Sequence, residues 1–541
     1  MRRSRKFGRP LTGKDWLRFR PYGALSSYDS YYLKLAEKVF AYLNSPQSEF
    51  RKVFQRDLLK TMAVLLTCHF EDFISEIGLW RTLVHQYREW DGEYLPFYDL
   101  EDYDPEYLNR DDFAMLIFHH LGKMADKTLD PYGEPIMAAA NFCYDLFEAR
   151  IDEAPATGFY DEWLTIKPET NFFEVKKRLH WLAFESYLHA PEFGAELKAQ
   201  LEKMQESESN LMERMDPTKL VYGIQEDFLY QKCSSWGAMS MVEWLAEIAH
   251  CSDELRSDIR NLKQRVTGMF LYDGADEKNY YFIFLPSNRR FPVHRDSIKL
   301  QRDRLQPGDD VAFFSIVNWR GEWWLSGTYM HYGSRKKMGL EDMAGDPKWA
   351  SFYAEPEARR RRMREMTEEM DAAFVEYFGS RLVFFENDKE LMRKIEAFHH
   401  WWNEYRTLPD EPGREESKLK KQLLERRPKP ETLDFGNQKM AAFYEPEEGV
   451  VMSPVIPEIV SRLQKKKLSV EESRELFYSF FYELSPEMAH YLIHHFPPDN
   501  LEYPLGYSWE FVVDHLNYFL RYYHPESFTE PLPRLNFLPE E

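Results

Sequence analysis

The sequence predicts an α+β protein that is mostly α-helical, with helical N- and C-terminal domains flanking a small β-barrel. Residues 268–332 alternate with period two between closely spaced turn residues, which is typical of consecutive short strands. The flanking segments instead repeat apolar residues every three to four positions, which is typical of amphipathic helices. With 541 residues, of which 43% are hydrophobic, the chain is long enough to bury several cores.

These patterns divide the chain into five parts. They are a helical domain at 1–260, a small β-barrel module at 265–335, a helical segment at 350–405, a charged linker at 406–435 and a C-terminal helical domain at 440–541. The linker is predicted because a charged stretch is interrupted by four prolines: Pro409, Pro412, Pro428 and Pro430.

The first domain is predicted to begin with a helix whose apolar residues share one face. These residues are Tyr32, Leu35, Ala36, Val39 and Leu43. Asp29 is available as the N-cap of this helix. Further helices are predicted at 53–66, 70–90, 110–121, 172–188 and 242–266.

Residues 265–335, which we call the β-module, are predicted to hold five strands. The strands are expected at 268–273, 279–286, 289–294, 311–319 and 322–330. Only Arg320-Gly321 separates the last two strands, which is the length of a tight hairpin loop. Pro292 restricts the third strand to a sheet edge. Five strands in about 65 residues favour a barrel of the SH3-like or OB type.

Helical patterns return after the β-module. A strongly charged helix is predicted at 356–378 and a more aromatic one at 391–405. Ser469 and Glu472 have the spacing of a capping box. Ser485 and Pro486 place a cap and a first-turn proline before a helix that ends at residue 496.

The formal net charge of -21 disfavours a nucleic-acid partner, because the global field repels polyanions. Four cysteines form no CxxC pair and lie among apolar residues, which indicates reduced thiols in a reducing compartment: Cys68, Cys143, Cys233 and Cys251. No apolar run reaches the length of a spanning helix, and none follows the basic start at 1–9. These features predict a cytoplasmic protein with no membrane partner.

Metal and cofactor sites are not predicted. His490 and His494 are one helical turn apart, but two ligands do not make a zinc site, and a structural role is favoured. The adjacent pairs His119-His120 and His399-His400 are predicted to be cap or surface residues. The acidic segment 99–106 lacks the spacing of an EF-hand loop and is interpreted as a solvated loop.

Catalytic residues remain unknown at this level. No GxxxxGK[ST], GxGxxG or GxSxG pattern occurs, so local signals for phosphate, dinucleotide or hydrolase chemistry are missing. Whether the protein is an enzyme is therefore uncertain, and a non-enzymatic role is favoured.

Two basic segments are candidates for nucleic-acid binding. The arginines at 359–364 are followed by acidic residues within a few turns, which favours ion pairs along one helix. The β-module has ten Lys and Arg against eight Asp and Glu, a net of +2. Its candidate nucleic-acid or ligand-binding residues are Tyr280, Tyr281, Arg289, Arg290 and Arg295. The favoured alternative is that aromatic residues fill the barrel while the arginines are merely solvated.

Four N-terminal segments resemble a bacterial family catalogued as domain of unknown function 3843. They are 14–22 (KDWLRFRPY), 30–35 (SYYLKL), 70–81 (FEDFISEIGLWR) and 94–99 (YLPFYD). The resemblance is mainly over the first 120 residues. It implies a bacterial, helical protein without an assigned reaction, and it supplies no catalytic residue.

The function predicted from these observations is that of an uncharacterised cytoplasmic binding or scaffold protein that engages a protein partner. The 14 Trp, 33 Tyr and 40 Phe offer more aromatic surface than the cores need, and aromatic residues anchor protein interfaces. The alternative is a nucleic-acid-associated protein or an enzyme that uses the β-module for binding. The sequence leaves the oligomeric state open.

Overall fold

The structure is a computed structural model that describes most of the chain. The described residues are 11–97, 103–125, 130–206, 217–285, 288–298, 305–334, 357–405, 438–445, 449–498 and 509–528. The chain forms two compact units: unit 1 is 1–354 with 517–541, and unit 2 is 355–516. The finer five-part division remains a prediction. The described part of the chain has no helix with the length and apolar character needed to cross a membrane.

Unit 1 contains fourteen described α-helices. They are α1 (Gly13–Leu17), α2 (Ser27–Leu43), α3 (Glu49–Val53), α4 (Arg56–Ile74), α5 (Leu79–Asp91), α6 (Arg110–Ala125), α7 (Glu134–Glu148), α8 (Phe159–Leu164), α9 (Phe172–Phe184), α10 (Ala190–Glu206), α11 (Pro217–Tyr230), α12 (Met241–Ile248), α13 (Asp253–Arg260) and, after unit 2, α20 (Leu516–Tyr523). Helix α2 packs on α4, and α6 packs on α4, α7 and α10.

The predicted face of α2 is confirmed, since all five of its apolar residues are buried. The cap is one turn earlier than predicted. Ser26 is the N-cap, and Asp29 is the third helical residue of a capping box that binds back to Ser26. Asp29 also accepts a hydrogen bond from the Trp16 indole at 2.9 Å, so it joins α1 to α2.

Two long predicted helices are interrupted. The segment 70–90 divides because Gly78 has a left-handed backbone with φ 88°, and α5 begins directly after it. The segment 242–266 divides because the backbone of His250 bridges to Thr165, and Ser252 then caps α13. Local periodicity does not reveal the contact of His250 with Thr165.

The β-module forms the predicted five strands: β1 (Arg265–Ala275), β2 (Asn279–Phe284), β3 (Arg289–His294), β4 (Asp310–Trp319) and β5 (Glu322–Ser334). Strand pairing runs β1-β2-β3-β5-β4, and β4 pairs with β1, so the order closes on itself. The contact between β3 and β5 is parallel and pairs Val293 with Trp323. A mostly helical protein with a five-stranded sheet is thereby confirmed, while the SH3-like or OB type stays a prediction.

The hairpin predicted between β4 and β5 is confirmed by the pairing of Trp319 with Glu322. Arg320 and Gly321 have φ of 55° and 77°, and positive φ at both loop positions matches the twist of the strands. The interior of the sheet is aromatic, with the rings of Phe270 and Phe314 stacked 4.3 Å apart.

The β-module contacts the helices of unit 1 through a buried polar group. Lys176 of α9 pairs with Glu226 of α11 at 2.7 Å, and Ser326 of β5 donates to the same carboxylate at 2.5 Å. Lys176 also donates to the Ser326 hydroxyl at 2.9 Å. Because Glu226 and Ser326 are both buried, these bonds are shielded from water and hold the sheet on the helices.

Unit 2 contains α14 (Glu357–Phe378), β6 (Leu382–Phe385), α15 (Asp388–Tyr405), β7 (Met440–Glu445), β8 (Gly449–Ser453), α16 (Val455–Leu463), α17 (Val470–Tyr478), α18 (Pro486–His495) and α19 (Trp509–Asp514). The caps predicted at Ser469 and Ser485 are confirmed. The antiparallel sheet β6-β7-β8 was not predicted. Its strands are short and come from both sides of 406–435, a predicted linker that lies outside the described residues.

Candidate functional site

The five residues proposed for binding on the β-module do not share one face. Tyr280 points into the core of the sheet and is buried, whereas Tyr281, the next residue along β2, lies on the outer face. Arg290 places its guanidinium 4.0 Å from the centroid of the Tyr281 ring. Arg295 lies 5.1 Å from the ring of Tyr280, and the exposed Arg289 lies over Phe291.

Local acceptors already engage two of these arginines. Arg290 pairs with Asp273 at 2.8 Å, and Arg295 donates to the carbonyl of Asp276 at 2.5 Å. The Tyr281 hydroxyl donates to the Asp276 carboxylate at 2.5 Å. A phosphate would therefore compete with carboxylates that are already in place, which weakens the case for a nucleic-acid surface.

Two of the remaining candidate segments lie partly outside the described residues. Residues 99–102 of the acidic segment and the side chains at 359–364 lie outside the described part of the structure. His490 and His494 are exposed on α18, and His495 contacts the carbonyl of Tyr491 at 2.9 Å. Within the described ranges, no group of three or more His, Cys, Asp or Glu side chains has the arrangement of a metal site.

The prediction that His119 and His120 are cap or surface residues is wrong. Both lie inside α6 and are 1% and 0% exposed. They belong to a histidine core, which we define by its polar members: His119, His120, His189, Glu192, Ser234 and Ser235. Helix α10 and a tight loop between Cys233 and Ser240 cover α6 here. The sequence shows only two adjacent polar residues and not the segments that fold over them.

The loop at 233–240 is fixed by its own backbone and by aromatic packing. Ser234 and Met239 close it with a hydrogen bond of 2.7 Å, and Ala238 has a positive φ of 50°. The Trp236 indole donates to the carbonyl of Leu188 at 2.9 Å. Its ring stacks on His119 with centroids 3.5 Å apart. The loop is therefore held in one conformation beside α6 and α10.

One part of the histidine core has the order hydroxyl, imidazole, phenol. The Ser235 hydroxyl lies 3.3 Å from Nε2 of His119, and Nδ1 of His119 lies 3.1 Å from the Tyr518 hydroxyl. Both ring nitrogens are thus used, as in a nucleophile, base and orienting group. All three side chains are buried, however, and a substrate cannot approach Ser235 unless the loop moves.

The other part is not arranged for proton relay. Nδ1 of His189 lies 3.3 Å from the Ser234 hydroxyl and 3.8 Å from the Glu192 carboxylate, so one nitrogen faces both groups. A serine-type triad needs one ring nitrogen for the serine and the other for the acid. Ser234 instead donates directly to Glu192 at 2.8 Å.

Burial keeps the histidines of this core neutral. It lowers the pKa of His120 to about 3 and the pKa values of His119 and His189 below their usual value. Burial alone would raise the pKa of Glu192, but its polar contact with the His189 imidazole and the charge of Lys123 outweigh this and lower it. A base with so low a pKa is poorly suited to catalysis near neutral pH. The histidine core therefore has the properties of a structural polar core.

Unit 2 exposes a row of side chains that ends in two tyrosines. The tyrosine stripe, which we define as Val470, Arg474, Tyr478 and Tyr482, has one member every four residues, and all four are exposed. Tyr478 and Tyr482 expose 57% and 49% of their surface. Their rings nevertheless stack, with centroids 4.7 Å apart and planes 20° from parallel.

A turn of π-helix at Ser479–Glu483 continues α17 and carries Tyr482. Such turns are rare and are frequent at functional sites. The next residues on the opposite side, Phe480 and Phe481, are fully buried, so the turn is anchored in the core of unit 2. The spacing of the stripe was visible in the sequence, but exposure was not, because neighbouring aromatic residues fill a core.

A family model described as "Protein of unknown function (DUF3843)" matches residues 10–275. The resemblance predicted from the sequence is confirmed, and it extends beyond the first 120 residues to α1–α13 and β1. No curated protein and no solved structure matches the chain. The match carries no assigned activity.

Proposed function

We propose that this protein is a non-catalytic cytoplasmic binding or scaffold protein that engages a basic segment of a protein partner through the tyrosine stripe. The observation that carries the proposal is the exposed, stacked pair Tyr478 and Tyr482 on a helix that is anchored in the core. Aromatic side chains held rigid before binding lose little entropy in an interface, and they commonly anchor protein partners.

Charge favours a basic partner. Residues 440–516 of unit 2 contain 5 Lys and Arg against 13 Asp and Glu, a net of -8. Glu471 and Glu483, at the two ends of the stripe, are exposed and form no ion pair within the described residues. An arginine of the partner can stack on Tyr478 or Tyr482 while its charge is balanced by Glu483. The field of the whole chain also accelerates the approach of a cation.

We also propose that the β-module is a small barrel of the SH3-like or OB type. The closed order of strand pairing and the aromatic interior support that assignment. The alternative function, a nucleic-acid-associated protein or an enzyme that uses the β-module, lacks a comparable observation. Arg290 and Arg295 are already engaged by the chain, and the net charge of -21 repels polyanions.

Binding to immobilised peptides tests the proposal on the full chain. We expect retention on an arginine-rich peptide, no retention on a glutamate-rich peptide of equal length, and release as salt is raised. Replacing Tyr478 and Tyr482 together by Ala should weaken retention at least about thirtyfold, because even one hot-spot aromatic contributes about 2 kcal/mol. The matched control replaces two exposed tyrosines of unit 1, Tyr107 and Tyr132, and should bind like wild type.

Two results would count against the proposal. Equal retention of the stripe variant and the control variant would show that binding is only diffuse electrostatics. Retention on single-stranded DNA that is lost when Arg290 and Arg295 are replaced by Met would support the alternative function instead.

A further inference from the structure

A surface cleft of about 280 Å³ opens in unit 1, away from the β-module. One wall is the entry to α5, with Glu76, Gly78, Arg81 and Thr82. The other wall is the end of α12 and the segment that leads to α13, around His250. The volume lies just below the usual range for small-molecule pockets, so a compact metabolite fits better than a large cofactor.

The first wall is rigid. Glu76 and Gly78 have positive φ of 49° and 88°, a conformation that a non-glycine residue such as Glu76 rarely adopts. The buried Asp72 carboxylate fixes this turn by accepting from the amides of Gly78, Leu79 and Trp80 at 2.7, 3.3 and 2.9 Å. These amides are thereby already satisfied, so anion binding in the cleft must come from side chains.

The second wall is fixed by a short parallel bridge. The amide of His250 donates to the carbonyl of Leu164 at 3.0 Å, and the carbonyl of His250 accepts from Ile166 at 3.1 Å. Arg256 binds the carbonyls of Ala246 and Glu247 at the end of α12. Hydrogen bonds therefore fix both walls of the cleft, so its shape does not depend on a mobile loop.

The side chains at the cleft combine opposite charges. Arg81 and Arg256 supply guanidinium groups, and within the described residues Arg81 has only a loose ion pair of 3.6 Å with Glu106. On the acidic side, Glu247 is committed to Arg260 at 2.6 Å, whereas the exposed Glu76 forms no ion pair within the described chain. The Thr82 hydroxyl likewise has no side-chain partner there. The cleft thus offers a cation and an anion that are both available to a ligand.

We propose that this cleft binds a free α-amino acid with an apolar side chain. Its carboxylate pairs with the guanidinium of Arg81 and the hydroxyl of Thr82, and its ammonium group pairs with Glu76. The apolar side chain contacts the small exposed surfaces of Ile77 and Ile248, which line the cleft and are each 5% exposed. A purely anionic ligand would leave Glu76 opposed to its charge. This site is independent of the tyrosine stripe and of the function proposed for it.

Calorimetric titration of the full chain tests this inference with leucine as the probe. We expect saturable binding of L-leucine and at least about tenfold weaker binding of its deaminated acid and of its decarboxylated amine, since each loses one charge-assisted contact. Arg81→Met and Glu76→Gln should each weaken leucine binding about tenfold. Arg110→Met is the matched control, because Arg110 is as exposed as Arg81 but lies outside the cleft.

Three results would overturn the proposed binding of an amino acid in the cleft. Lack of leucine binding at millimolar concentration, or binding that neither Arg81→Met nor Glu76→Gln changes, overturns it. Equal binding of leucine and its deaminated acid also overturns it, because the cleft would then recognise only an anion. Should Arg81→Met fail to fold, the ligand analogues and Glu76→Gln still give the answer.

Discussion

Among the polar residues of the histidine core, His120 is the one whose burial is least offset by hydrogen bonds. Both of its ring nitrogens are buried without a hydrogen-bond partner within the described chain, while its ring packs edge-on against Trp236 at 5.3 Å. Ser234 is the opposite case, because its hydroxyl bonds to Glu192, to His189 and to the amide of Trp236. The two residues belong to the same core but have different energetic roles.

We predict that His120→Leu leaves the free energy of unfolding at neutral pH unchanged or raises it. An unsatisfied buried polar group costs about 1–3 kcal/mol, which the leucine avoids. Ser234→Ala should lower the free energy of unfolding by about 1–2 kcal/mol, because it leaves Glu192 without one of its donors. Denaturant unfolding of the full chain measures both. A larger loss for His120→Leu than for Ser234→Ala would contradict this interpretation.

The difference in free energy of unfolding between wild type and His120→Leu should depend on pH. The pKa of His120 is about 3 in the folded chain against 6.5 as its ordinary value, so the unfolded chain takes up the proton first as pH falls. Wild type therefore loses stability relative to His120→Leu as the pH falls from about 6.5 toward 3, and the gap is constant above that window. A gap that does not change with pH would show that His120 is not the buried neutral group seen here.

At the scale of elements, the hairpin between β4 and β5 depends on its loop. Gly321 has a φ of 77°, which an L side chain adopts only with strain, although nothing lies within 4 Å of the position of a Cβ. Gly223 lies inside α11 with equally open space around it and an ordinary helical backbone. The two glycines differ in conformation and not in crowding.

We predict that Gly321→Ala lowers the free energy of unfolding by about 1 kcal/mol. The matched change Gly223→Ala should raise it by up to about 1 kcal/mol, because alanine is the better helix former. Thermal unfolding of both variants checks the opposite signs. The same sign for both changes would refute the turn geometry assigned to Arg320-Gly321.

The β-module was the most predictable part of the fold. Its strands follow each other in sequence, and residues such as Gly321 mark the turns, so local pattern and tertiary structure agree. The sheet β6-β7-β8 could not be predicted, because β6 has only four residues and its partner β7 lies some fifty residues later. At the candidate sites, the spacing of Tyr478 and Tyr482 was readable but their exposure was not. His119 was predicted to be a cap or surface residue, but it is buried by loop 233–240 and by α20, which are distant from it in sequence.

At the scale of the whole molecule, α20 closes unit 1 from a distant part of the chain. Tyr518 contacts His119, Arg521 pairs with Asp91 at 2.6 Å, and Lys123 donates to the carbonyl of Tyr522 at 3.3 Å. The Arg521 guanidinium also lies 4.7 Å from the Trp90 ring. Residues about 400 positions apart in sequence are therefore joined in one core.

We predict that a chain ending at residue 515 has a weakened unit 1 and an unchanged unit 2. Loss of α20 removes the phenol from His119 and the cation from Asp91, so amide hydrogen exchange should rise in α6 and in the end of α5. Exchange in α15 serves as the internal control and should not change. Equal exchange of α6 in the full and shortened chains would show that α20 contributes nothing to the histidine core.

The position of α20 also sets an order of events during synthesis. Because residues 355–516 are translated between the bulk of unit 1 and its last helix, α6 leaves the ribosome long before Tyr518 exists. At about 5–20 residues per second, the nascent chain waits at least some 20 s with His119 and Asp91 lacking these partners. Completion of this polar core therefore depends on the rate of elongation and not only on the rate of folding.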